Sequence, residues 1–187
     1  LVTSIGENEG KSTVASNIAL SLAQNGNNVV LADLDLRRAA VYKIFDIPSK
    51  KSNELWKENI GQRLKLILNC KPDKKLVEYL KKSGIGDIIA EERRNADYII
   101  IDSSPVGVAA DTELILSHVD AVLLVIRQDW TQITEINRFI EVLSKSNTEF
   151  LGYVLNDFEN QNPLGRKQYN YGYGKHYTKY GYDEYSK

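Results

Sequence analysis

A glycine-containing segment near the start of the chain has the residue types and spacing of a phosphate-binding loop. It reads T-S-I-G-E-N-E-G-K-S-T from Thr3 to Thr13, with Gly10, Lys11 and Ser12 in succession. In such loops a glycine lets the backbone approach phosphate, the lysine reaches the β- and γ-phosphates, and the hydroxyl binds Mg²⁺. We therefore predict a nucleotide site formed by Gly6, Glu9, Gly10, Lys11, Ser12 and Thr13.

This loop departs from the strict G-x-x-x-x-G-K-[ST] pattern. The pattern places its first glycine where the chain has Ile5, and Gly6 follows one residue late. Asparagine tolerates positive φ better than most residues, so we expect Asn8 to supply a left-handed conformation that a glycine would otherwise supply. The alternative is that the Gly-Lys-Ser sequence only begins an ordinary helix.

Three aspartates follow apolar runs that have the character of strands. Asp33 and Asp35 come after the run 29–32, and Asp102 follows the run 98–101. Because the carboxyl ends of parallel strands meet at one edge of a sheet, all three should converge on the phosphate loop. An acidic residue after an apolar strand is the usual Walker B arrangement for the shell of a Mg²⁺ ion. Any one of these aspartates alone could instead cap a helix.

The strands that would position these residues are short apolar runs without period-2 alternation. They occupy residues 29–32, 98–101, 121–126 and 151–155, with a weaker candidate at 64–68 and the end of a first strand at 1–3. Continuous β-branched runs are typical of parallel strands covered on both faces. Helical spacing between the runs, as at Val14, Ile18 and Leu22, completes the pattern. It predicts a three-layer α/β fold of the P-loop NTPase type, with a mainly parallel sheet flanked by helices.

The sequence also supports predictions for three local features. Thr131 is a plausible N-cap for a helix that begins near Ile133. The polar stretch 45–63 is predicted to be a surface loop with a short helix. Asn156, which follows the last apolar run, either contacts the adenine of a bound nucleotide or forms a turn.

The composition is that of a soluble globular domain in a reducing compartment. Of the 187 residues, 42% are apolar and 26% charged, and the net charge of -1 provides no general field for nucleic acid. The lone cysteine, Cys70, cannot form an internal disulfide, which favours the cytoplasm. No apolar run approaches the roughly 18 residues that a membrane span needs. The predicted domains are residues 1–160, which bind nucleotide, and 161–187, a separate tail.

The tail has a composition unlike the rest of the chain. From Tyr169 to Lys187 it holds seven tyrosines, three glycines and three lysines, and no aliphatic side chain larger than a methyl group. Such a segment buries too little apolar surface to offset its ordering entropy, so we expect it to be flexible. A low-complexity linker and a segment that stacks on nucleic acid bases are the alternatives, and its few charges argue against the second.

Together these motifs resemble the bacterial tyrosine kinases (BY-kinases) of capsule and exopolysaccharide synthesis. The resemblance is carried by residues 3–13, 33–38 and 100–105 and by the tyrosine cluster, and it covers nearly the whole chain. It is weaker at residues 7–8, where the family often has Pro-Gly, and at Ser104, where the family often has proline. A tyrosine kinase activity with ATP and Mg²⁺ is what this resemblance implies.

The resemblance also implies a role for each motif residue. Lys11 would neutralise charge on the γ-phosphate, and Asp33 would act as the catalytic base that takes the tyrosine proton, with Asp35 supporting the base or the metal. The metal ligands would be Ser12 directly, Asp102 through water, and Asp33. The phosphoacceptors would be Tyr169, Tyr171, Tyr173, Tyr177, Tyr180, Tyr182 and Tyr185.

Partners and location follow from the resemblance as expectations. Phosphorylation would pass between neighbouring subunits of a homo-oligomeric ring. A transmembrane activator or adaptor, separate or fused, would hold the domain at the cytoplasmic face of the cell membrane, and a cognate tyrosine phosphatase would reverse the reaction. No nucleic acid partner is expected.

The alternative function is an ATP-dependent molecular switch of the MinD/ParA type without tyrosine chemistry. Those proteins share the fold and the strand-end aspartates, but they carry a signature lysine in the phosphate loop, which would occupy position 6. This chain has Gly6 there. The tyrosine-rich tail is also foreign to them, so the kinase is favoured.

Overall fold

A seven-stranded sheet forms the centre of the part of the chain that the structure describes. A computed structural model gives residues 1–49, 54–69, 77–78, 80–106 and 111–158. The strand order is β3-β4-β2-β5-β1-β6-β7, and every neighbouring pair is parallel except β3 with β4. The strands are β1 (Val2–Ser4), β2 (Val29–Leu34), β3 (Trp56–Ile60), β4 (Leu64–Leu68), β5 (Tyr98–Ser103), β6 (Ala121–Arg127) and β7 (Glu149–Asn156).

Helices connect the parallel strands, as crossover connections require. Those described are α1 (Lys11–Gln24), α2 (Val41–Ile44), α3 (Ile85–Glu92), α4 (Asp111–Leu116) and α5 (Ile133–Leu143), and a π-helical turn, Leu80–Gly84, precedes α3. None of the helices in these ranges combines the length and apolar composition that a membrane-spanning segment needs.

The burial of the central strands explains why they read as continuous apolar runs. All six residues of β2 and all three of β1 are buried. Ala15 and Ala19 of α1 pack on one face of β2, and Ile85 and Ile89 of α3 pack on the other. The predicted three-layer fold with a mainly parallel sheet is therefore confirmed, and so are the six predicted strands.

The stretch 45–63 was wrongly predicted as loop and short helix, because its second half is strand β3. This strand pairs antiparallel with β4 at the edge of the sheet, where only one face is covered. Trp56 is buried and packs near Tyr42, while Lys57 is exposed. Charged side chains on the open face of an edge strand make it resemble a loop in sequence.

The boundary predicted at residue 160 and the seven tail tyrosines lie outside the described residues, as does Cys70. The chain divides into a compact unit, Leu1–Asn156, and a second unit, Asp157–Lys187. The fold and the candidate site belong to the first unit.

A buried carboxylate joins α3 to the edge of the sheet. Glu92 is almost fully buried and forms ion pairs with Lys65 of β4 at 2.6 Å and with Lys57 of β3 at 2.9 Å. Burial alone would raise the pKa of Glu92, but the two lysines outweigh it and the pKa is lowered. The ionised carboxylate therefore stabilises the fold.

We predict that Glu92→Gln lowers the free energy of unfolding by about 1–2 kcal/mol, because two partly exposed ion pairs are lost. Since the folded-state pKa lies below the ordinary value of about 4.3, the deficit is complete above that pH and disappears as the pH falls through the lower folded-state value. Urea denaturation at several pH values measures it. The neighbouring Glu91→Gln, at an exposed partner of Lys57, is the control and should change stability by less than about 0.5 kcal/mol. A deficit that persists undiminished in acid would contradict the assignment.

Candidate functional site

The phosphate loop connects the end of β1 to the start of α1 through a left-handed turn. Gly10 is the N-cap residue of α1 with φ of 92°, and Asn8 has φ of 61°, as expected from the sequence. A Cβ atom at Gly10 would lie 2.0 Å from the Nδ2 atom of Asn156. Only glycine therefore fits at this position, for reasons of both conformation and space.

The side chain of Glu9 faces the protein interior and holds the loop closed. It is 1% exposed. Its Oε2 atom accepts a hydrogen bond of 2.9 Å from the amide of Gly6, and its Oε1 atom accepts one from the hydroxyl of Thr131. Glu9 could therefore contact a nucleotide only through its backbone. The amide of Gly6, which was also predicted to bind nucleotide, already donates to the Glu9 side chain.

Thr131 is not the N-cap of α5. That position is Gln132, which makes no side-chain capping bond. The Thr131 hydroxyl instead accepts a hydrogen bond of 2.9 Å from the amide of Arg127 and donates to Glu9. Thr131 was predicted as a cap because it lies just before the helix. Its actual partner, Glu9, is 122 residues away in sequence, and no local sequence pattern indicates this contact.

Asn156 supports the phosphate loop from the last strand. Its Nδ2 atom donates a hydrogen bond of 2.9 Å to the carbonyl of Glu9 and lies against Gly10. Of the two roles left open by the sequence, adenine contact or turn, the structure shows neither directly. It shows a third, which is to fix the loop against β7.

Lys11 forms an ion pair with Asp35 across the carboxyl edge of the sheet, with 2.7 Å between Nζ and Oδ2. Burial would lower the pKa of Lys11, but the charge of Asp102 and the contact with Asp35 outweigh it and raise the pKa. The side chain therefore keeps its charge although it is partly buried, and it can interact with a phosphate group.

The other oxygen of Asp35 is held by backbone and side-chain donors. Oδ1 accepts hydrogen bonds from the amides of Arg37 and Arg38 and from the hydroxyl of Ser104. Burial opposes ionisation of Asp35, but Lys11 and these amides prevail and the pKa is lowered. Ser104 was noted in the sequence only as a departure from the family pattern, and its contact with Asp35 was missed.

Asp33 is fully buried, and both of its carboxylate oxygens accept hydrogen bonds from neutral N–H donors. One oxygen accepts from the amides of Ala40 and Val41, at the start of α2, and the other accepts from the amide of Asp35 and the side chain of Asn69. Burial, together with the charge of Asp102, raises the pKa of Asp33 well above its ordinary value, and the amides only partly oppose this. Through these hydrogen bonds, Asp33 stabilises the loop that follows β2.

Asp102 differs from both, because its carboxylate oxygens accept no hydrogen bond of good geometry from the described residues although it is fully buried. Burial raises its pKa to about 6, while the charge of Lys11 and the nearby Ser12 hydroxyl oppose the rise. A buried carboxylate that accepts no hydrogen bond of good geometry and lies next to the Ser12 hydroxyl fits a hard cation, which takes oxygen ligands. Within the described ranges, no three acidic, His or Cys side chains form a ready-made metal cage. An ion here would complete its shell with phosphate and water, as Mg²⁺ commonly does.

The predicted residues therefore converge on one edge of the sheet, but they divide into two sides around the phosphate loop that follows β1. On one side, Asp33 and Asp102 lie near the carboxyl ends of β2 and β5, and Asp35 directly follows β2. On the other side, Asn156 is the last residue of β7, and Thr131 lies in the turn that follows β6. Thr13 is exposed in the first turn of α1, between the two sides.

Comparison with known proteins agrees with this geometry. Residues 1–172 match the family described as the CobQ/CobB/MinD/ParA nucleotide binding domain. The chain belongs to this family. As a member of the CobQ/CobB/MinD/ParA family, it carries a nucleotide-binding domain.

Relatives by sequence within this family are named tyrosine kinases. The chain is 28% identical over 167 residues to the tyrosine-protein kinase CpsD of Streptococcus agalactiae, covering 83% of this chain and 73% of that protein. It is 29% identical over 171 residues to CpsD of Streptococcus pneumoniae serotype 4, covering 84% and 75%. The resemblance to bacterial tyrosine kinases that the motifs predicted is thus confirmed.

Solved structures of the family share the fold. The kinase domain of VpsO superimposes with a TM-score of 0.72 at 25% identity, covering 84% of this chain and 83% of that one. The septum-site protein MinD of Pyrococcus horikoshii, solved with Mg-ADP, gives a TM-score of 0.67 at 18% identity, with coverages of 82% and 67%. The second likeness shows the fold alone.

We predict that Glu9→Ala and Thr131→Val each lower the free energy of unfolding by about 1–3 kcal/mol, because each leaves the other polar group buried without its partner. The double variant should cost less than the sum, with a coupling of about 1 kcal/mol. Urea denaturation of the four proteins measures the cycle. Thr131→Ser keeps the hydroxyl and serves as the matched control. Strict additivity would show that the contact does not hold the loop.

Proposed function

We propose that this protein is an ATP-dependent protein-tyrosine kinase that phosphorylates the tyrosines of its own C-terminal tail. The observation that carries the proposal is that two unlike groups lie beside the phosphate loop: the charged Lys11, and the buried carboxylate of Asp102, which accepts no hydrogen bond of good geometry from the described residues. The first suits a phosphate and the second suits the cation that accompanies it. The names of the relatives support tyrosine as the acceptor.

The site supports phosphoryl transfer because that reaction needs positioning and charge neutralisation more than covalent chemistry. The amides at the start of α1 would cradle the phosphates, with Lys11 neutralising charge on the γ-phosphate. Ser12 and Asp102 would hold Mg²⁺, which neutralises charge on the β- and γ-phosphates when bound. The tyrosine oxygen would form the new bond to the γ-phosphorus while the bond to the β,γ-bridging oxygen breaks and ADP leaves.

A base must take the tyrosine proton, since the hydroxyl has a pKa of about 10. The resemblance implies Asp33, but the contacts favour Asp35. Among the described residues, the hydrogen bonds that Asp33 accepts come from N–H donors that hold a loop in place, whereas Oδ2 of Asp35 pairs with Lys11. When Lys11 turns to phosphate, this oxygen would become free to accept a proton.

The setting of the kinase is proposed on the family resemblance. Tail and site would meet between neighbouring subunits of a ring, in control of capsule or exopolysaccharide synthesis and export. A transmembrane activator at the inner face of the membrane and a tyrosine phosphatase would complete the cycle. The tail tyrosines Tyr169 to Tyr185 lie outside the described residues, so their role depends on composition and resemblance.

Incubation of the protein with ATP and Mg²⁺, with and without a membrane activator, tests the function by mass spectrometry of the tail. Phosphotyrosine is expected on the tail of the wild-type protein. Lys11→Met should reduce it at least 100-fold, because several kcal/mol of transition-state charge stabilisation are lost. Lys145→Met, at an exposed lysine on the surface, is the matched control and should leave it unchanged.

Two outcomes would decide against the kinase. Absence of tail phosphotyrosine under both conditions would contradict it directly. Partner binding that depends on ATP but survives replacement of every tail tyrosine by phenylalanine would favour the molecular switch instead.

We predict that Asp33→Asn and Asp35→Asn differ in which property they damage. Asp33→Asn should lower the free energy of unfolding by about 1–3 kcal/mol, because one oxygen that accepts two amides becomes a donor. Asp35→Asn should preserve more of the stability yet abolish phosphorylation. Thermal unfolding and the phosphorylation assay on the same samples separate the two, with the exposed Asp46→Asn as control. A stable, inactive Asp33→Asn variant beside an active Asp35→Asn variant would restore Asp33 as the base.

A further inference from the structure

The turn between β6 and α5, residues 127–131, presents an exposed aromatic side chain that the proposed reaction does not use. Trp130 is 62% exposed. The other tryptophan, Trp56, is buried on β3 at the opposite edge of the sheet. Exposing an indole to water costs free energy, because a large apolar surface is left uncovered. Ligands of such folds bind at the carboxyl edge of the sheet, so a ligand bound there would cover this surface.

This turn is physically joined to the phosphate loop. The residue that follows Trp130 is Thr131, whose hydroxyl contacts Glu9, the neighbour of Gly10. The amide of Gln128 donates a hydrogen bond of 3.2 Å to the carbonyl of Asn156. Trp130 is therefore one residue away from a direct contact with the phosphate loop, and its position is tied to that loop on two sides.

The turn is built to hold the indole in one orientation. Asp129 has φ of 57°, a left-handed conformation that is uncommon for a residue with a side chain. The amide of Trp130 bonds back to the carbonyl of Arg127, and the guanidinium of Arg127 lies 5.4 Å from the centre of the indole ring. A guanidinium at this distance attracts the face of the ring and restrains it, while the indole remains largely exposed.

The direction of a bound nucleotide follows from the two sides of the site. Lys11, which would meet the β- and γ-phosphates, points to Asp35 on the side of β2 and β5. The γ-phosphate would therefore lie on that side of the loop. The ribose and base would then extend to the opposite side, that of β6 and β7, where the turn after β6 carries Trp130.

We propose that the indole of Trp130 is the surface on which the base of the bound nucleotide stacks. The ligand class is a purine nucleoside triphosphate, and Arg127 on the ring makes Trp130 a preorganised platform. Stacking on an aromatic ring recognises the flat face of a base and ignores its edge, so Trp130 strengthens binding without choosing adenine over guanine. This inference rests on the proposed nucleotide site.

The test compares two ligands that share the phosphates but not the base. Binding of Mg-ATP and of magnesium tripolyphosphate is measured by calorimetry for the wild-type protein, Trp130→Ala and Trp130→Phe. Trp130→Ala should weaken ATP binding about tenfold and leave tripolyphosphate binding unchanged, because only the base loses its partner. Trp130→Phe, which keeps an aromatic face, should recover most of the affinity.

Ile133→Ala is the matched control, since Ile133 is apolar, 74% exposed and three residues away. It should leave the binding of both ligands unchanged. In the wild-type protein, ATP but not tripolyphosphate should also change the tryptophan fluorescence, and Trp130→Phe should abolish that change while the buried Trp56 still emits.

Each other outcome overturns the proposal. Equal loss of both ligands in Trp130→Ala would make Trp130 a support of the phosphate loop only. Unchanged ATP affinity in that variant would assign the exposed indole to a protein partner, and the kinase proposal would stand. A wild-type protein that binds neither ligand would overturn both this inference and the proposed function.

Discussion

The close approach of Gly10 to Asn156 is the constraint on which the site depends. The phosphate loop leaves β1 in the middle of the sheet, and β7 lies two strands away, so the Asn156 side chain must reach past β6. It can do so only because Gly10 has no side chain and has positive φ. The contact fixes the start of α1 relative to the strand ends. Lys11 and Ser12 therefore face the aspartates in positions that the sheet determines.

The electrostatics of the site follow from placing three buried carboxylates around one lysine. Each carboxylate is treated differently: neutral N–H donors surround Asp33, a cation pairs with Asp35, and Asp102 has no hydrogen-bond donor of good geometry among the described residues. When phosphate draws Lys11 away, Asp35 also loses its cation. Phosphate binding thus increases the demand for a second positive charge at the same edge. Nucleotide and divalent cation should consequently bind as a unit, which is how a buried acidic edge can accept an anionic ligand.

The sequence predicts the parts of this structure that depend on local pattern. Buried strands, the position of the phosphate loop and the left-handed Asn8 each leave a signal within a few residues. Features that depend on contacts between residues far apart in sequence leave no such local signal. Strand β3 looked like a loop because half of an edge strand faces water, and the Thr131 hydroxyl found Glu9 rather than its own helix. The contact of Ser104 with Asp35 depends on β2 and β5 being neighbours in the sheet, and the sequence alone does not predict which strands are neighbours.

The departures of the loop from the strict glycine pattern have a structural explanation. Both backbone polar groups of Gly6 bond to side chains, the carbonyl to the Ser4 hydroxyl and the amide to Glu9. Side chains thereby stabilise the turn that a glycine at position 5 would otherwise permit, and the amide of Gly6 is no longer available to a ligand. The amides left for phosphate are those at the start of α1, because the first N–H groups of a helix have no partner within it. Under the proposed function, the phosphate cradle would therefore lie in the second half of the loop, next to Lys11, and would depend on the helix N-terminus more than on the glycine-rich turn.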